Sequence, residues 1–188
     1  MRVIAGTAGG LRLFVPRTGV RPTMDRVKAA IFSSLGERVI GARVLDLFAG
    51  TGALGIEALS RGARSATFIE SDRQAIAAIE RNLAQTGLSG RICQQDVFAF
   101  LQHVSRAEMH DLIFADPPYD PRDGGDNFTQ LLLLNDRLPG RLTIEGIFVL
   151  EKRPGEQLPS TDLWETLRRK TYGATETIFL RRKSNRAR

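Results

Sequence analysis

The chain has 188 residues, 42% hydrophobic and 26% charged, the composition of an ordinary globule long enough for one domain with a full core. No apolar run reaches the length of a membrane span, Met1-Arg2-Val3 begins no signal peptide, and the single Cys93 excludes an internal disulfide and a cysteine-based zinc site, so a cytoplasmic address is expected. The net charge of +6 is unevenly spread, with +5 in residues 1–28, +7 in residues 168–188 and −6 between them, a pattern suited to ends that hold a polyanion.

In chain order, Arg2-Val3-Ile4 and Leu11 to Val15 flank the glycine-rich turn Gly6-Thr7-Ala8-Gly9-Gly10 and predict a short hairpin arm. Residues 17–22 read as a linker. Pro22-Thr23 opens a helical pattern that places Val27, Ala30, Ile31, Ser34 and Leu35 on one face, with Asp25 in the first turn. From Arg43 the rhythm becomes strand and helix by turns. Strands are expected at Val44 to Phe48, Ala66 to Ile69, Arg91 to Gln94, Leu112 to Ala115 and Thr143 to Leu150. The intervening helices are expected at Ala53 to Ser60, Asp72 to Thr86 with Gly87 as cap, Val97 to Val104 capped by Asp96, and Phe128 to Leu138. A last hairpin surrounds Tyr172-Gly173, with strands near Leu167 to Thr171 and Thr175 to Leu180. Strands alternating with helices imply an α/β fold whose parallel sheet is covered on both faces.

Two strand ends carry the chemistry. The first runs Asp46-Leu47-Phe48-Ala49-Gly50-Thr51-Gly52-Ala53-Leu54-Gly55, a glycine turn between strand and helix, with Glu70 at the offset where an acid accepts from ribose hydroxyls. That much fits NAD or any other ligand containing adenosine. Asp46 argues against NAD: a carboxylate inside an apolar strand needs a partner, and an ammonium-bearing ligand such as S-adenosylmethionine would supply one. The second is HDLIFADPPY, His110 to Tyr119. Two prolines force the chain out of the sheet at Asp116 and hold Asp116, the Pro117 carbonyl and Tyr119 as a rigid group where α/β sheets bind ligands. Acceptors beside an aromatic face suit a planar ring with an exocyclic amine. His103 and His110 read as surface or strand-edge residues, and no cluster suggests a metal.

DLFAGTGALG, Glu70, Asp96 and DPPY in this order resemble the motifs of S-adenosylmethionine-dependent amino-methyltransferases. The arm Arg2 to Gly6 with Gly10 to Leu13, the stretch Arg21-Pro22-Thr23-Met24-Asp25-Arg26-Val27, and Glu57 to Ala63 are similar to the RsmD family, which methylates guanine N2 in bacterial small-subunit ribosomal RNA. Ala5 and Leu11 depart from that family's usual arm. The resemblance implies a Rossmann-like class I methyltransferase: a mostly parallel seven-stranded sheet with an antiparallel C-terminal hairpin and a small N-terminal β-hairpin and helix extension. Residues 1–42 would then be an RNA-binding arm and helix, and 43–188 the methyltransferase domain.

Carried over residue by residue, the resemblance implies a cofactor set of Asp46, Phe48, Gly50, Gly52, Glu70, Asp96 and Val97, with Arg21 and Thr23 near the cofactor's carboxylate. Asp116, Pro117 and Tyr119 would hold the target guanine, at a G966-type site in reference rRNA numbering. Arg2, Arg12, Arg17 and Arg26 would bind RNA. The implied partner is 16S rRNA inside a small-subunit assembly particle, met by a monomer with no membrane and no metal. The alternatives are a DNA adenine-N6 methyltransferase, which commonly needs an added recognition region, and a non-catalytic RNA-binding module that keeps the fold. The arm is expected to serve RNA, so that its removal leaves a folded domain that still binds the cofactor.

Overall fold

The computed structural model describes residues 1–16, 23–102 (backbone alone at 23 and 24), 108–118 and 128–183. The strands are β1 (Arg43–Leu47), β2 (Ser65–Glu70), β3 (Arg91–Gln94), β4 (His110–Ala115), β5 (Leu142–Lys152), β6 (Trp164–Tyr172) and β7 (Thr175–Arg182). They form one sheet in the order β3-β2-β1-β4-β5-β7-β6, with β1 to β5 parallel and β7 antiparallel to both its neighbours. The chain steps from β1 outward to β2 and β3, then returns to the other side of β1 as β4. That reversal opens a crevice at the carboxyl ends of β1 and β4, where open α/β sheets bind ligands.

Helices α1 (Thr23–Leu35), α2 (Ala53–Ser60) and α3 (Arg73–Thr86) cover one face of the sheet, and α4 (Val97–Gln102) and α5 (Phe128–Leu134) the other. Each strand divides its residues between the two cores by the period of two that a strand imposes. Val44, Phe68, Phe114 and Val149 meet α1 to α3, while Leu45, Ile69, Ile113 and Phe148 meet α4 and α5. By the same alternation Asp46 falls on the α1–α3 face, where an apolar residue would be expected.

Helix α3 matches its sequence signals: the Asp72 side chain accepts from the Ala75 N–H at 2.8 Å, and Gly87 closes the helix at φ 66°. Four expectations shift. Helix α5 stops at Leu134, because the Asn135 side chain accepts from the N–H groups of Arg137 and Leu138 and Pro139 turns the chain into a 3-10 turn at Leu138–Arg141. Strand β5 runs on through Glu151 and Lys152. Strand β6 begins earlier, at Trp164, whose indole N–H donates to the Leu133 carbonyl at 3.1 Å. His110 is buried at the start of β4, at the end of the sheet away from the crevice. His103 lies outside the described residues.

The arm is a hairpin with one bridge, Arg2 to Arg12, and with Val3 N–H to Leu11 O at 2.9 Å and Leu13 N–H to Met1 O at 3.1 Å. It does not stand clear of the domain. Val3, Ala8 and Leu13 are buried in the same core as α1, α2 and α3. Polar groups that sequence patterning does not single out fasten it. Glu57, fully buried on α2, accepts from the N–H groups of Ile4 at 2.7 Å and Ala5 at 3.1 Å. Asn82 of α3 accepts from Phe14 N–H at 2.6 Å and donates to Phe14 O at 3.0 Å. At Gly6, φ 88°, a Cβ would lie 1.8 Å from the Ser60 carbonyl oxygen, so only glycine lets the arm come this close.

Candidate active site

The crevice holds a cavity of about 600 Å³, within the range of small-molecule sites. Asp46 lines it from β1, and its Oδ2 accepts from the Gly55 N–H at 2.9 Å. The partner foreseen for Asp46 was a cationic ligand; the protein supplies a backbone N–H as well. One hydrogen bond does not offset full burial. Desolvation pushes the carboxyl up to about 8, the Gly55 bond opposes it, and Asp116 and Glu70 add like charge.

Glu70 ends β2 and ties the glycine turn to the next helix. Its Oε2 accepts from Gly50 N–H at 2.8 Å, and its Oε1 from Ser71 N–H at 2.8 Å and Asp72 N–H at 2.9 Å. It also faces the cavity, with lone pairs to spare for ligand hydroxyls. The backbone between β1 and α2 is tightly wound: Phe48 stands at φ 54° and Gly50 at φ 55°. A positive φ costs little at Gly50 and about 1–3 kcal/mol at Phe48, the kind of strain that clusters at ligand sites. The Phe48 ring is held against Phe128 at 5.5 Å and Phe98 at 6.1 Å, and Phe48 and Phe128 give the cavity an aromatic wall.

Asp96 lines the cavity beyond β3 and also caps α4, its Oδ1 accepting from Ala99 N–H at 2.9 Å. Asp116 lines it from the end of β4, beside Pro118. Of the other expected cofactor residues, Gly52 and Val97 sit behind the wall. Gly52 is the N-cap of α2 at φ 77°, and Val97 is buried as the first residue of α4. Pro117 is buried likewise, and Pro118 is the proline that reaches the cavity surface. Arg17, Arg21 and Tyr119 lie outside the described residues, as does the side chain of Thr23. Arg2, Arg12 and Arg26 are exposed on the arm and α1 and do not line the cavity.

Sequence reasoning missed two charged members of the wall. Lys28, 3% exposed on α1, donates to Arg2 O at 2.6 Å and pairs with Glu57 at 3.2 Å. Burial lowers its pKa and Glu57 works against that. Its signal in the sequence was a lysine at helical spacing among the apolar residues of α1. Glu151 is the next-to-last residue of β5, and burial raises its carboxyl well above the usual range, with Asp116 and Asp46 adding to the effect. Among the described residues the cavity is thus walled by the carboxyl groups of Asp46, Glu70, Asp72, Asp96, Asp116 and Glu151 against one lysine. Among the described residues no cluster of three His, Cys, Asp or Glu is arranged to hold a metal ion. An acid-rich cavity with a tight glycine turn fits a ligand with ribose hydroxyls and positive charge, and it repels a pyrophosphate.

The family model described as conserved hypothetical protein 95 matches residues 1–181. Bacillus subtilis YlbH is 38% identical over 189 residues, covering 97% of this chain and all of its own. Ribosomal RNA small subunit methyltransferase D of Escherichia coli K12 is 37% identical over 176 residues, 92% of this chain and 85% of that one. The solved structure of Escherichia coli yhhF superposes with a TM-score of 0.81 at 34% identity, covering 98% of this chain and 99% of the other.

Proposed function

The chain belongs to the RsmD family, the one described as conserved hypothetical protein 95, and from that premise we propose that it methylates the exocyclic N2 amine of a guanine in 16S ribosomal RNA, with S-adenosylmethionine as donor. The observation that carries the reading is the pairing of Asp116 with Asp46 and Glu70 around one cavity: an amine acceptor beside a carboxylate wall suited to a cation.

When bound, the cofactor supplies a methyl group on a positively charged sulfur. The chain's residues do the rest. Glu70, held by three backbone N–H groups, accepts from ribose hydroxyls, and Asp96 accepts from the adenine amine through the oxygen that does not cap α4. Asp46 faces the positive end. The guanine amine is a poor nucleophile because its lone pair is delocalised into the ring. Asp116 accepts one of its hydrogens, favours a pyramidal nitrogen and aims the lone pair at the methyl carbon. In the transfer that the cofactor would supply, Asp116 would take up the surplus proton of the alkylated amine and pass it to water. Positioning and preorganised charge supply the rate. The base must leave its stack to reach the cavity, which favours a loop nucleotide within a small-subunit particle.

The test is transfer of labelled methyl groups to unmodified ribosomal RNA, free and in particles, with the product nucleoside identified by mass spectrometry. N2-methylguanosine from the small-subunit RNA is the expected product. N6-methyladenosine formed in a parallel incubation with unmethylated DNA would replace this reading with the adenine one, and RNA binding without transfer would leave an RNA-binding module.

A further inference from the structure

Glu151 has no task in the reaction as described, and its position gives it one. Leu150 of β5 pairs with Ala115 of β4, so the next residues, Glu151 and Asp116, stand level at the mouth of the crevice. Neighbouring strands lie about 4.8 Å apart. Val149 and Phe114, two residues earlier on each strand, share the α1–α3 core, so strand alternation sends both acids to the same face as Asp46. Glu151 lines the cavity, and its side chain takes no hydrogen bond from any described residue. A polar group set into a ligand cavity without a partner is one whose partner arrives with the ligand.

Guanine offers the complementary edge. Beside its exocyclic amine is the ring N1–H, a second donor, and two level acceptors match these two donors. We propose that Glu151 is the residue that selects guanine, accepting from N1–H while Asp116 accepts from the amine. A purine whose ring nitrogen at this position is an acceptor sets lone pair against lone pair here and is rejected. Burial, with Asp116 and Asp46 adding like charge, penalises the ionised carboxyl, and the N1–H of guanine is the donor that favours this acceptor form. This inference rests on the guanine-N2 reading and names the residue that makes the choice.

The experiment uses two RNA substrates that differ only at the methylated position, one with guanine and one with 2-aminopurine. The latter keeps the amine and presents N1 as an acceptor. The wild-type chain is expected to favour guanine in kcat/KM by roughly 10- to 100-fold, the worth of one hydrogen bond to a charged group. Glu151→Gln, whose amide can donate to N1, is expected to lower that ratio at least tenfold with S-adenosylmethionine affinity within a few-fold of wild type. Glu151→Asp keeps the charge and is expected to keep the preference at a lower kcat, which guards against a Gln variant that fails to fold. A wild type active on guanine with an unchanged ratio in Glu151→Gln, or one that prefers 2-aminopurine, overturns this inference alone. A wild type that methylates no guanine removes the functional reading, and this inference with it.

Discussion

The Gly55 N–H donates to the Asp46 carboxylate at 2.9 Å, and the approach is one that only glycine allows. A Cβ on Gly55 would lie 2.3 Å from Phe68 Cε1 and 3.1 Å from the carboxylate itself. The third glycine of the turn therefore joins helix α2 to strands β1 and β2, and the cofactor does not need to touch it.

Gly55→Ala is expected to destabilise the protein by about 1–3 kcal/mol. Helix propensity favours alanine by up to about 1 kcal/mol, but the Phe68 ring is fully buried and overpacking costs more. The variant should also bind S-adenosylmethionine more weakly, since Asp46 shifts with it. Denaturant unfolding and calorimetry check the two effects, and an unchanged midpoint would refute the first.

Asp46 makes cofactor binding a proton-linked event. Its carboxyl is raised from the ordinary 3.8 to about 8, so the empty protein holds a proton there at pH 7. A cation beside it favours the ionised form, and binding at pH 7 should release up to one proton. The binding enthalpy should then vary with the ionisation enthalpy of the buffer, lose that dependence above pH 9, and lose it in Asp46→Asn. The folded state of the empty protein binds this proton more tightly than the unfolded chain does. Its contribution to stability is therefore full below about pH 4 and is lost as pH rises toward about 8. Asp46→Asn should flatten that decline.

The sheet was legible because its strands are apolar runs bounded by glycine, proline or acid, and the cavity wall was legible at Asp46 inside β1, Glu70 at the end of β2, and Asp96 and Asp116 just after β3 and β4. What escaped were polar groups whose partners lie far off in sequence. Glu57 takes N–H groups from residues 53 and 52 positions away, and no local pattern predicts that. Lys28 reads as a solvated residue until α1 is laid against the arm. Glu151 was hidden because the end of β5 is set by its pairing with β7, where Glu151 meets Thr177. Gly52 and Val97 carry a fold signal, the start of a helix, and in sequence that signal looks the same as a ligand contact.

Asp116 and Glu70 should separate chemistry from cofactor binding. Asp116→Ala is expected to slow methyl transfer by about 10²–10³-fold, the cost of a positioned group at a reacting centre, with cofactor affinity within a few-fold of wild type. Glu70→Ala leaves three backbone N–H groups without their acceptor and removes a ribose partner, so S-adenosylmethionine affinity should fall by about 1.5–3 kcal/mol or more. RNA affinity should hold in Glu70→Ala. Single-turnover rates and calorimetry distinguish the variants, and near wild-type transfer by Asp116→Ala would defeat the assignment.

The arm reverses the expectation drawn for it. Deleting residues 2–16 removes Val3, Ala8 and Leu13 from the core and takes two N–H partners from the buried Glu57. It also takes the Arg2 carbonyl from Lys28 and Val15 and Pro16 from the cavity wall. Each of the three hydrogen-bond partners taken from these buried groups costs about 1–3 kcal/mol, and each kcal/mol lowers the melting temperature of a domain this size by about 2–4 °C. Truncation should therefore lower Tm by at least about 6 °C and weaken S-adenosylmethionine binding with it. An RNA role for the arm must be sought where the core is untouched. Arg2 is 65% exposed and only 3.9 Å from Asp25 in a surface pair, and Arg12 is exposed beside it. Such a pair is worth at most about 1 kcal/mol, so Arg2→Gln with Arg12→Gln should keep Tm and cofactor affinity. If both arginines meet phosphates, the double variant binds ribosomal RNA more weakly, and the slope of log affinity against log salt flattens by about 0.7–0.9 for each arginine–phosphate pair removed. An unchanged slope beside a lowered Tm in the truncated chain would make the arm a cover for α2 and α3 and nothing more.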